Sequence, residues 1–109
     1  MAHFLVTFGH PDRVGWVRHL KPHLDWILAQ VESGCLLASG PTVGTVPRGG
    51  ALIFRTEDLR SLQDILDADP FFIEGLVADV MILEWDPIFG AFQPDSSGLT
   101  YTDLLETFT

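Results

Sequence analysis

The sequence predicts a single α+β domain with the element order β-α-β-β-α-β, and three observations carry that reading. Short β-branched and aromatic runs alternate with two segments of helical periodicity, and Gly and Pro punctuate the joints. The chain of 109 residues, 47% of them hydrophobic, is long enough for one packed core and too short for two.

Phe4, Val6 and Phe8 alternate with Leu5 and Thr7, which predicts a first strand from Ala2 to Phe8. This apolar run is short, has no basic leader and runs into Gly9 to Pro11, so it reads as a strand and not as a signal peptide. Gly9 to His19 holds Pro11, Gly15 and mixed charge and reads as a loop with one irregular turn. From Pro22 onward Leu24, Ile27, Leu28 and Val31 recur at helical spacing, with Pro22 suited to the first turn and Gly34 to the position just past the end.

Cys35 to Ser39, closed by Gly40 and Pro41, has the length and punctuation of a buried second strand, and Ala51 to Arg55 reads as the third. Thr56 is placed to cap a second helix that opens with Glu57 and Asp58 and runs to about Ala68. Leu59, Leu62, Ile65 and Leu66 form its apolar stripe. After a turn at Asp69 to Gly75, Leu76 to Trp85 is the longest strand candidate, apolar in both alternating phases apart from Asp79 and Glu84.

That order is ferredoxin-like: a four-stranded antiparallel sheet with both helices on one face. The other face then carries Val80 and Ile82, or Met81 and Leu83, and needs a cover, which predicts a homodimer. The domain proper spans residues 1–86. Residues 87–109 contain turn formers but also Ile88, Phe89, Phe92, Leu99 and Tyr101, so they read as an extension packed on the domain or on the dimer partner.

Charge narrows the partners. With 15 acidic against 6 basic residues, for a net charge of −9, no basic stripe can follow a nucleic acid backbone or an anionic membrane. No stretch approaches the roughly 20 apolar residues of a membrane span. Cys35 stands alone, which precludes an intramolecular disulfide or a cysteine-rich zinc cluster and fits the reducing cytoplasm. Gly40, Gly44, Gly49 and Gly50 match neither nucleotide-binding fingerprint, so no cofactor is expected.

Two residues draw attention as chemistry. His23, placed in the first turn of the first helix, meets the positive end of the helix dipole, which favours the neutral imidazole a base requires. Asp69 precedes Pro70, the pattern of an N-cap, and a capping carboxylate has a second oxygen free to orient a histidine. Taken singly, each has a bland reading as a helix-start histidine and a helix cap. His19 and His23 are four apart, but Pro22 is expected to leave His19 outside the helix, and no metal site is predicted.

Several segments together resemble the YCII-related family of the dimeric α+β barrel group. They are His23-Leu24, Gly34-Cys35-Leu36-Leu37 with Gly40-Pro41, Asp67-Ala68-Asp69-Pro70-Phe71, Gly75-Leu76-Val77 and Glu84-Trp85. The resemblance covers about His3 to Asp86 and implies a dimer of ferredoxin-like units with a pocket in each. It also implies that His23 and Asp69 are the catalytic pair. Some relatives are dehydrochlorinases of chlorinated hydroxyquinols. An arginine common shortly before the histidine has only Arg18 as a counterpart here, and an anionic substrate would need Arg13, Arg18, Lys21 or Arg48 near the pocket.

The expected function is therefore that of a cofactor-independent small-molecule enzyme of lyase, isomerase or dehydrochlorinase type. His23 moves a proton, Asp69 orients it, and Arg18, Ser39, Phe71 and Phe72 contribute to substrate binding. The alternative is a module of the same fold that binds a small molecule, or a protein partner, without chemistry.

Overall fold

The computed structural model describes residues 1–109. Its elements are β1 (Ala2–His10), α1 (Arg13–Ser33), β2 (Leu36–Pro41), β3 (Arg48–Thr56), α2 (Leu59–Asp67), α3 (Pro70–Ile73), β4 (Ala78–Glu84) and, after a 3-10 turn at Gln93–Asp95, α4 (Tyr101–Phe108). The strands form one sheet in the order β2-β3-β1-β4, and every neighbouring pair is antiparallel. This is the ferredoxin-like arrangement that the element order predicts.

Register decides which side chains meet the helices. Phe4 lies opposite Phe54, and Val6 lies opposite Leu52 on one side and Ile82 on the other, so these residues share one face of the sheet. That face closes against Trp26 of α1 and Leu62 and Leu66 of α2 to form the core, with Phe8 and Leu36. Leu62 and Leu66 are buried, whereas Leu59, at the start of the same stripe, is 45% exposed.

The largest departure from expectation lies before Pro22. The presumed loop is the first half of α1, which starts at Arg13 under an Asp12 cap whose side chain accepts from the Gly15 amide. Pro22 sits inside this helix, where a missing amide and a ring clash with the preceding turn cost about 3 kcal/mol. The cost is offset because one buried stripe, Gly15, His23 and Trp26, runs through both halves of the helix. His19 is accordingly helical. Gly15 is also a steric requirement, since a Cβ there would stand 2.4 Å from Leu76 Cδ2.

Smaller shifts follow from hydrogen bonding. β1 runs on to His10, and β3 starts at Arg48, because these ends pair with each other. Thr56 is the buried last residue of β3 rather than a cap; Asp58 caps α2 by accepting from the Ser61 amide. β4 is shorter than expected, with the register slipping between Thr7 and Gly9 and Asp79 taking a positive φ of 52°.

On the face away from the helices, Met81 is 55% and Leu83 52% exposed, beside Leu5 and Ile53. The chain beyond β4 returns toward β3, where Arg55 pairs with Asp95, and Asp86 accepts from the Ser97 amide at 2.9 Å and its hydroxyl at 2.5 Å. α4 opens with a capping box between Thr100 and Asp103, and none of its residues is buried. No helix is long and apolar enough to cross a membrane.

Candidate active site

Asp69 joins α2 to the one-turn α3. Pro70 needs no amide partner at the first helical position, and Asp69 Oδ1 accepts from the Phe71 amide at 3.0 Å. The same oxygen accepts from His23 Nδ1 at 2.8 Å across 46 residues of sequence. Cap and histidine partner are thus one atom, not the two oxygens the sequence reading assigned. Oδ2 is buried and has no hydrogen-bond partner.

A carboxylate oxygen can only accept, so the proton on this hydrogen bond belongs to His23 Nδ1, and in the neutral imidazole the lone pair is then on Nε2. His23 lies in the middle of α1 and not in its first turn, so the helix dipole, which acts within the terminal turn, is not what controls its charge. Packing fixes the ring instead. Phe71, fully buried, stacks on it with centroids 3.9 Å apart and planes within 10°, and Trp26 flanks it at 5.9 Å.

His23 borders a cavity of about 400 Å³ between α1 and the helix-facing ends of β1, β2 and β3. This falls in the size range of small-ligand sites. Its polar wall comprises His10, Ser39 and Arg48, and Trp16 carries the Arg48 guanidinium over its ring at 4.7 Å. Ser39, a substrate-binding candidate of the sequence, borders this cavity. Phe71 lies against the imidazole, off the cavity wall, and Phe72 packs edge-on against Phe8 at 5.5 Å, one layer behind.

Arg18 is a correction: it is exposed and does not line the cavity. Five residues before His23, it is turned about 140° around the helix from it, whereas Trp16, two turns before His23, shares its face. Arg48 supplies the cation. No three His, Cys, Asp or Glu side chains come together as a metal-sized group.

His10 was missed because the strand was ended at Phe8. Extending the Phe4, Val6, Phe8 alternation by two residues would have placed His10 on the helix-facing side. It is 8% exposed, packed edge-on against Phe8 and Phe71. Burial lowers its pKa below 6.5, opposed by its hydrogen bond to Leu76 and by Asp69 and assisted by Arg48 and, when that ring is protonated, by His23.

The sign of the resulting pH dependence is definite. The unfolded chain takes up the His10 proton near 6.5 and the folded chain only at lower pH, so the contribution to stability is complete above 6.5 and is lost as pH falls below it. Thermal melts from neutral pH down to about 5 are expected to show a steeper loss for the native protein than for His10→Phe. Parallel profiles would contradict this.

An α+β ferredoxin-like domain with a buried His-Asp pair at a cavity is thus the class that fold and site define. The model of the YCII-related domain matches residues 16–86, well over half of the chain, and the protein belongs to that family. Among solved structures it is similar to 5-chloro-2-hydroxyhydroquinone dehydrochlorinase (TftG) from Burkholderia phenoliruptrix AC1100, in complex with 2,5-dihydroxybenzoquinone. The TM-score is 0.66 at 20% identity, covering 77% of this chain and 93% of that one. At that identity the likeness establishes the fold. No protein of curated function matches the sequence.

Proposed function

We propose that the protein is a small-molecule enzyme of lyase or isomerase type, acting on a small cyclic or aromatic substrate as a dehydrochlorinase or a related proton-transfer catalyst. The observation that carries this reading is the 2.8 Å bond from His23 Nδ1 to the fully buried Asp69 beside a cavity of about 400 Å³. His23 Nε2 accepts a proton from the substrate; Asp69 holds the tautomer and stabilises the imidazolium that forms. In a dehydrochlorination the electrons of the broken bond to hydrogen form the new double bond, and chloride leaves. Ser39 and Arg48 contact the substrate, while Phe71 and Phe72 set the ring of His23 and the wall behind it. The similar dehydrochlorinase structure, with 2,5-dihydroxybenzoquinone bound, supports a ring-shaped substrate.

The test is chloride release from 5-chloro-2-hydroxyhydroquinone. Native protein is expected to release it, and His23→Ala to be slower by about 10²–10⁴. Equal rates for the two proteins would remove His23 from the chemistry.

The same proposal includes a homodimer formed through the outer sheet face, where Met81 and Leu83 are half exposed beside Leu5 and Ile53. Sedimentation at micromolar concentration is expected to give about twice the 12.1 kDa chain mass, and Leu83→Glu to give the monomer. A monomer for the native chain would refute the dimer. The single free Cys35 suits the cytoplasm.

A further inference from the structure

Two buried histidines border one cavity, and the mechanism above uses only one of them. His10, at the end of β1, places Nδ1 3.3 Å from the Leu76 carbonyl oxygen. A carbonyl can only accept, so Nδ1 carries the ring proton and Nε2 keeps its lone pair. His23 reaches the same tautomer through Asp69. Both imidazoles have therefore committed Nδ1 to the protein, and in both Nε2 is the nitrogen left for a ligand.

Phe71 links the two. It stacks on His23 at 3.9 Å and meets His10 edge-on at 5.1 Å, while Phe8 holds His10 from another side at 5.2 Å. Burial, with Arg48 and His23 nearby, disfavours a charged His10, so His10 offers a ligand an acceptor and no donor. The two rings are not joined by a third metal-ligating side chain in a metal-sized group. A cavity whose walls offer two acceptors leaves both unpaired unless the ligand brings two donors.

We propose that His10 is a second hydrogen-bond acceptor of the site, and that His10 and His23 together select a ring bearing two hydroxyl groups. This rests on the reading of the cavity as a small-molecule active site. Each O–H donates a hydrogen bond to one Nε2; on ionisation the proton of one hydroxyl passes to His23 Nε2, its bonding pair stays on oxygen and the His23 imidazolium later returns the proton to solvent, while His10 stays neutral and only accepts the hydrogen bond of the other. Arg48, over Trp16 in the same cavity, stabilises the oxyanion.

Calorimetric titration of the full chain with catechol, resorcinol and hydroquinone, each against its monomethyl ether, tests this. The best-fitting diol is expected to bind native protein roughly five- to tenfold tighter than its ether, the worth of one hydrogen bond, and His10→Phe to reduce the ratio to about one. Histidine ¹⁵N spectra of native protein supply a measurement independent of any variant: both Nε2 resonances shift with the diol and one with the ether. A ratio near one in the native protein, a ratio retained in His10→Phe, a proton on His10 Nε2, or no binding of any diol at millimolar concentration would each overturn the inference. Loss of chloride release in His23→Ala with no change in His10→Phe leaves the proposed function standing and removes only His10.

Discussion

Asp69→Asn is expected to fold and to lose roughly 10²–10⁴ of turnover. The asparagine carbonyl can take the place of Oδ1, keeping the Phe71 amide bond and with it the cap of α3. The imidazolium formed during proton transfer then faces a neutral amide where it had a carboxylate. If the amide instead turns its NH₂ toward His23, Nδ1 must accept, the ring proton moves to Nε2, and the lone pair needed for catalysis is gone.

Stability separates this from simple unfolding. The NH₂ of Asn would stand where Oδ2 lies buried and unpartnered, an unsatisfied donor worth about 1–3 kcal/mol. Asp69→Ala removes the cap and also strands the His23 Nδ1–H, so its loss should be larger, on the order of 3 kcal/mol. Urea titrations of the three proteins, paired with chloride-release rates, give both quantities. Full turnover in Asp69→Asn would show that the carboxylate charge plays no part.

Phe71→Ala is expected to have the largest effect on stability, about 3–5 kcal/mol. The ring is completely buried and packed against His23, His10 and Trp16, so its removal opens a cavity that α3, a single helical turn, is poorly able to close. Against a total of about 5–15 kcal/mol for a domain of this kind, that is a drop in melting temperature on the order of 15 °C or more. Phe71→Leu refills most of the volume and should cost less, about 1–2 kcal/mol, while still removing the flat surface on which the imidazole rests. Thermal melts of both variants decide it. A Phe71→Ala melt within a few degrees of the native protein would mean that the stack on His23 contributes little.

Much of the molecule was legible in the chain. The alternation of Phe4, Val6 and Phe8, the stripe of α2, Gly34 as a left-handed cap and Asp69-Pro70 as a helix start are local patterns, each set by neighbours within a few residues. Their order was enough to place four strands and to name the sheet. The start of α1 was not legible, because Pro22 and Gly15 are local signals against a helix. Only the burial of Gly15, His23 and Trp26 along one stripe outweighs them, and that burial exists once the sheet is in place.

The site divides the same way. His23 and Asp69 are joined by the family pattern, but Arg18 is chosen by proximity in sequence when helix phase turns it to solvent. Arg48 and His10 are brought to the cavity by the pairing of β1 with β3, which places His10 directly opposite Arg48. The element order and the sheet follow from short-range periodicity and capping, whereas the pair of His23 and Asp69 came from the resemblance to a family. Tertiary structure alone decided that one oxygen of Asp69 serves both helix and histidine, and that a second imidazole with its Nε2 uncommitted shares the cavity. Both depend on distances between residues far apart in the chain, which no local pattern encodes.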